Sequence, residues 1–209
     1  FYNKRKKMRI SNIYILFIVL FISSCARPYR KLSMSEIPFN EFRDEIKISY
    51  SIRQGVMYNT KNRFYAKKEF KKNVNLIAFK IINKTELPIN INDLKYYCGA
   101  TIPLAPISIE EYYKTVKQKA ELYWLYSPGV VVYPRPPKGS KKFIPLPFGI
   151  PLAAINYGVS LKANKKMMRD LQLLDLSNKV IQPQDSIEGI LTFKNVDNCG
   201  DIYISVKEN

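Results

Sequence analysis

The chain has 209 residues, 46% hydrophobic and 24% charged, which is enough for one core with an insertion and too few for two large domains. It contains no His, and this excludes a Ser-His-Asp triad, a Cys-His nucleophile pair, an HExxH zinc site and an ordinary His general base. The formal charge is +17, from 34 Lys and Arg against 17 Asp and Glu, but the basic residues are scattered and no base-reading motif accompanies them, so anionic lipid head groups suit them better than nucleic acid.

The first nine residues carry Lys4, Arg5, Lys6, Lys7 and Arg9 with no acid; removing these five charges from +17 leaves +12 on the remainder. An unbroken apolar run, Ile13 to Ile22, follows. It is about half the length that a bilayer-spanning helix needs. Basic, apolar and then small residues (Ser23, Ser24) are the order of a secretory signal, for which Met8 offers a natural start. Ile22-Ser23-Ser24-Cys25 resembles the lipobox of bacterial lipoproteins: an aliphatic residue, two small residues, then Cys. The resemblance implies a diacylglyceryl group on the Cys25 thiol, cleavage before it, and acylation of the new N-terminus. Several acyl chains anchor stably where one does not. A buried thiol at a helix end and an uncleaved anchor are the competing readings of Cys25. Ala26 is not the Asp that retains enteric-type lipoproteins at the inner membrane, and the basic stretch Arg27 to Lys31 lacks the acidic signal that sends some Bacteroidota-type lipoproteins to the cell surface. The resemblance, which extends to envelope lipoproteins of Bacteroidota-type bacteria, thus implies a periplasm-facing protein of the outer membrane. Three regions are thus expected: a signal peptide at 1–24, a lipidated tether at 25–44, and a domain at 45–209 with an insertion at about 105–180.

Fifteen Tyr and eleven Phe against one Trp favour a strand-rich body. Residues 45–52, EIKISYSI, place Ile46, Ile48, Tyr50 and Ile52 on one side and Lys47, Ser49 and Ser51 on the other, the pattern of a half-buried strand. Residues 73–82, NVNLIAFKII, predict the central strand; LPININ and LKYY predict two short ones. Ile187–Lys194 and Asp201–Lys207 read as a final hairpin around a turn that contains Gly200. Strands at both ends with a different middle predict a mainly β fold: an immunoglobulin-like or related antiparallel β-sandwich with a two-helix, Pro-rich insertion, α+β overall.

In the middle, Ser108-Ile109-Glu110-Glu111 matches a capping box and predicts a helix to about Tyr126. A second helix is predicted from about Pro151 to Leu174, with a packing stripe of Ile155, Val159, Ala163, Met167, Leu171 and Leu174. Six of the thirteen Pro lie between them and a seventh, Pro151, opens the second, a density that forbids a helix in the joining segment. Val131, Tyr133, Phe143 and Phe148 flank a basic tip with Arg135, Lys138, Lys141 and Lys142. This is either a protruding loop that contacts a partner or the membrane, or a hairpin folded onto its own domain.

Beyond Cys25 the chain has Cys98 and Cys199. An even count in an exported chain points to a disulfide, and both residues can occupy one end of a sandwich; two separate reduced thiols are the alternative. Neither has a His to activate it for catalysis. Glu110 and Glu111 suit a helix start, Asp170 and Asp175 sit five apart, and Asp197 and Asp201 suit a turn. No catalytic set, metal cluster or cofactor motif emerges. The expected role is a non-catalytic envelope binding or assembly module for a protein or glycan. Handling of a lipid or other hydrophobic ligand is the alternative, and a carboxylate-dependent hydrolase is a further one.

Overall fold

The structure is a computed structural model that describes residues 26–99, 101–126, 149–196 and 199–207. It is a mixed α+β fold with antiparallel sheets. In chain order the elements are β1 (Arg43–Asp44), β2 (Ile48–Arg53), α1 (Val56–Asn59), α2 (Arg63–Lys72), β3 (Val74–Asn83), β4 (Ile89–Asn90) and β5 (Leu94–Cys98). They continue with β6 (Ile102–Leu104), β7 (Pro106–Ile107), α3 (Ile109–Val116), α4 (Gly149–Leu174), β8 (Val180–Ile181), β9 (Ser186–Lys194) and β10 (Ile202–Val206). The described residues fall into two compact units. One comprises 26–28, 118–126 and 149–163, and the other holds the rest.

In the larger unit a five-stranded sheet runs β1-β2-β3-β9-β7, with β3 at its centre as predicted. Registers such as Tyr50↔Ile81 and Ile77↔Leu191 put Ile48, Tyr50, Ile52, Ile77, Phe79, Ile81, Leu191 and Phe193 on one face. That face shares a core with Leu94, Tyr96, Ile202 and Ile204 of the three-stranded sheet β10-β5-β6. The opposite face carries Ser49, Ser51, Leu76, Ala78, Ile190 and Thr192, all buried, and α1, α2 and α3 contact the sheet through β3 and β9. The central sheet is therefore covered on both sides. This is why β2 and β3 depart from simple alternation: their helix-facing positions are buried as well, Ser49 and Ser51 on β2 and Val74, Leu76 and Ala78 on β3. Ile46 lies before β2 and is 95% exposed, a correction to the strand expected from residue 45.

The expected terminal hairpin is also corrected. β9 pairs with β3 and β7, whereas β10 pairs with β5, so between Lys194 and Ile202 the chain passes from one sheet to the other. Gly189 permits the close packing beside β9: a Cβ there would lie 2.4 Å from the Leu174 carbonyl oxygen and 2.6 Å from the Leu176 side chain. Leu176 donates its N–H to the Ile190 carbonyl at 3.1 Å along the same edge.

The helix from Ser108 stops early. Ser108 Oγ accepts from the Glu111 N–H at 3.2 Å, the first half of the expected capping box, but Glu111 reaches Lys194 instead of turning back. At Lys117 the backbone becomes extended (ψ 154°), and a 3-10 segment, Ala120–Tyr126, follows. α4 has nearly the predicted bounds, yet Ile155 is 62% exposed while Ala163, Met167 and Leu171 are buried. Each four-residue step advances about 40° beyond a full turn, so a run of such steps drifts around the helix instead of marking one face.

Residues 26–44 were expected as a tether, but they carry buried side chains at Tyr29, Leu32 and Ile37. In the larger unit Asn62 reads the Arg30 backbone in both directions: its Oδ1 accepts from the N–H at 2.9 Å, and its Nδ2 donates to the carbonyl at 3.0 Å. The Leu32 N–H donates to Asp170 Oδ2 at 3.0 Å. In the smaller unit Gln118 treats Arg27 as Asn62 treats Arg30, at 3.1 and 2.6 Å, and the Ala26 N–H donates to Asn156 Oδ1 at 2.9 Å. A primary amide offers a donor and an acceptor side by side, which matches one extended residue's N–H and C=O. The segment is thus gripped through its backbone.

Candidate functional site

A cleft of about 370 Å³ opens in the larger unit, lined by Asn40, Glu41, Phe42, Arg43, Tyr50, Ile52, Gln54, Gly200, Asp201 and Ile202. It lies where the edge strand of one sheet (β1) approaches the edge strand of the other (β10). Edge strands leave backbone groups unpaired by the ladder, which invites further pairing. Here side chains take some of them: the Ile204 N–H donates to Tyr50 Oη at 3.3 Å, and Arg43 Nη1 donates to the Ile202 carbonyl at 3.5 Å.

Arg43 is the hub of the polar side. Its Nη2 lies 3.0 Å from Asp201 Oδ1, and its guanidinium carbon stands 4.7 Å from the centre of the Tyr203 ring. Desolvation opposes its charge, but the hydrogen bond and charge of Asp201 outweigh that and hold the guanidinium above its ordinary range. Both partners keep solvent contact, with 40% and 59% of their side chains exposed, so the pair is displayed more than stored. Tyr50 is fully buried, and burial is the first cause of its raised phenol. Phe42 and Ile52 add apolar wall. The Gln54 side-chain amide donates to the Cys199 and Gly200 carbonyls at 3.3 and 3.4 Å and fixes the floor.

The segment that Gln54 holds is also fixed covalently. Cys98 and Cys199 form a disulfide with Cα atoms 5.3 Å apart, linking the end of β5 to the segment before β10 across 101 positions. Cys25 lies outside the described residues, as do Val131, Tyr133, Arg135, Lys138, Lys141, Lys142, Phe143 and Phe148. The expected lipid site and contact loop therefore gain no geometry here. The carboxylates disperse: Asp170 takes the Leu32 N–H, whereas Asp175 takes the Ser177 N–H and hydroxyl at 3.0 and 2.7 Å. Asp201, read above as turn chemistry, is the partner of Arg43.

Sequence reasoning missed Arg43, Gln54 and Glu41 as site residues, since nothing in RDE or RQG signals a cleft. It also missed Glu69, which is buried on α2. Its carboxylate accepts from the Leu76 N–H at 2.9 Å and from Tyr112 Oη at 2.7 Å, joining β3 and α3 to α2. A lone Glu in a Lys-rich helix (AKKEFKK) looks solvated, and only the tertiary contacts distinguish it. Among the described residues, no group of three or more His, Cys, Asp or Glu side chains is placed to hold a metal, and no helix is long and apolar enough to cross a membrane.

Comparisons with protein-family models, with curated proteins and with solved structures return no match to this chain.

Proposed function

We propose that this chain is a lipid-anchored envelope protein, acylated on Cys25, whose body is a non-catalytic binding or assembly module. Its five- and three-stranded sheets would form an immunoglobulin-like or related sandwich, with a helical layer on the outer face. The anchor rests on the lipobox resemblance. The binding role rests on one observation above all: the cleft where two sheet edges meet, with a displayed Arg43–Asp201 pair beside Phe42 and Ile52. Such a surface offers apolar contact, charge of both signs and adjacent strand edges, a combination suited to an extended protein segment.

Photo-crosslinking tests this reading. A benzophenone side chain at position 42 should give a discrete adduct in native membranes, while the same group at Lys95, on β5, should not. Equal labelling at both positions, or none at 42, would remove the cleft from consideration. Mass spectrometry of the mature protein should find the acyl groups on Cys25, and an intact 24–25 bond would remove the anchor.

The hydrolase reading has one arrangement to draw on, since Glu41 and Asp201 line the same cleft. The commitment of Asp201 to Arg43 weighs against it.

A further inference from the structure

The smaller unit presents apolar side chains to solvent in an unusual concentration. Leu122, Trp124 and Leu125 of the 3-10 segment are 50%, 43% and 72% exposed. Ile150 and Leu161 of α4 are 50% and 45% exposed. The two segments adjoin, because the Trp124 ring lies 5.8 Å from that of Tyr157 on α4. Helical spacing sets Ile150 and Leu161, seven before and four after Tyr157, along the same stripe. Between Gly149 and Leu161 the helix bears no charge. Among this unit's described residues the charged side chains are Arg27, Lys119, Glu121 and Lys162, three basic and one acidic.

The chain leading to this unit says what lies against the face. Ala26 is bonded to Asn156 on α4, next in sequence to Tyr157, and Gln118 holds Arg27 by both backbone groups. Consecutive Cα atoms are about 3.8 Å apart, so Cys25 lies within one residue of this grip. If residue 25 carries acyl chains there is no spacer, and the unit that grips Ala26 and Arg27 must sit at the bilayer surface. An apolar face rich in Leu and Ile, with Trp and Tyr among them and basic residues nearby, is the composition that partitions into a membrane interface. Lys119 and Lys162 suit anionic head groups.

We propose that this face, formed by residues 120–126 and the Ile150–Tyr157–Leu161 stripe of α4, lies in the lipid head-group region and seats this unit on its membrane. The proposal rests on the lipid-anchor reading, and it moves the membrane contact from the Pro-rich loop to these two segments.

Trp124 is the one Trp of the chain, so its fluorescence reports on this face alone. The probe is the full chain purified from membranes and reconstituted in phosphatidylcholine vesicles containing about one quarter phosphatidylglycerol, with or without bromine high on the acyl chains. Brominated lipid should reduce Trp124 emission to roughly half, as expected for an indole at the interface. Aqueous acrylamide should quench it weakly. Leu125→Asp and Leu161→Asp alter exposed side chains of this face; each should restore most of the emission in brominated vesicles while leaving the circular dichroism unchanged. Strong acrylamide quenching without bromolipid quenching would overturn the proposal and leave the face to water or a protein partner. Protection from both quenchers would overturn it too, since the chain itself would then cover the face. The anchor is read separately: a lipidated Cys25 with an unquenched Trp124 ends this inference alone. An unmodified Cys25 with a quenched Trp124 ends the anchor reading and leaves the face standing.

Discussion

The two faces of the central sheet solve the same burial problem differently. Toward the small sheet, Phe79, Phe193 and Tyr96 meet edge-on or tilted at 5.3 to 6.1 Å, among Ile and Leu side chains. Toward the helices, Ser49, Ser51 and Thr192 lie buried among Leu76, Ala78 and Ile190, and the carboxylate of Glu69 is bonded inside the layer. Apolar packing is non-directional and tolerates adjustment, whereas a buried polar contact is correct in few arrangements and costly when broken. The sheet-facing side therefore supplies bulk stability. The helix-facing side specifies where α2, α3 and the N-terminal segment dock.

The largest expected effect breaks the apolar side. Phe79→Ala should cost about 4 kcal/mol in equilibrium denaturation, because the ring is fully buried and its site cannot collapse between two sheets. A loss under about 1 kcal/mol would mean that this face is loosely packed.

Glu69→Ala should cost about 3 kcal/mol, from the lost partners of the Leu76 N–H and Tyr112 Oη. Hydrogen exchange should quicken first in α3, which separates a docking defect from global loosening. Uniform acceleration across β3, β9 and α3 would show that the two faces do not differ in role.

The smallest effect at neutral pH is Tyr96→Phe, within about 1 kcal/mol of neutral, since the buried Tyr96 hydroxyl has no hydrogen-bond partner among the described residues. It gains significance in alkali. Burial is the first cause that holds Tyr29, Tyr50, Tyr96 and Tyr112 above the ordinary tyrosine value of 10.0. Below that pH the folded and unfolded chains both keep these protons; above it the unfolded phenols ionise first, so stability falls as pH rises. Denaturation midpoints should be flat up to about pH 9 and drop beyond 10, and Tyr96→Phe should shrink the drop. An undiminished drop would place the alkaline sensitivity on the helix-facing tyrosines Tyr29 and Tyr112.

Local physics wrote the elements that could be read in advance. Residues 74–82 are too apolar to be anything but a central strand, Ser108 starts a helix because its hydroxyl suits an N-cap, and the Pro-free stretch from 152 to 174 continues as a helix once begun. Ile155, by contrast, reads as core from its spacing and stands in solvent. The residues after Cys25 read as tether because Pro, Ser and charge lack periodicity, yet backbone groups are what Asn62, Gln118, Asn156 and Asp170 hold, and backbone groups leave no trace in side-chain pattern. The cleft was illegible for a related reason: Arg43 and Asp201 are 158 positions apart, and neither is unusual in its own neighbourhood.

By itself the sequence determined that this is a His-free, basic chain with a lipobox-like start, a hydrophobic central strand and capped helices, because these properties depend on composition and on neighbours within a turn or two. Only the tertiary structure decided that β9 and β10 part into different sheets, that a buried Glu ties three elements together, and that half of a long helix faces outward. Those outcomes turn on which distant surfaces meet. An alternating strand or an amphipathic helix specifies that a face must be covered, but not by what.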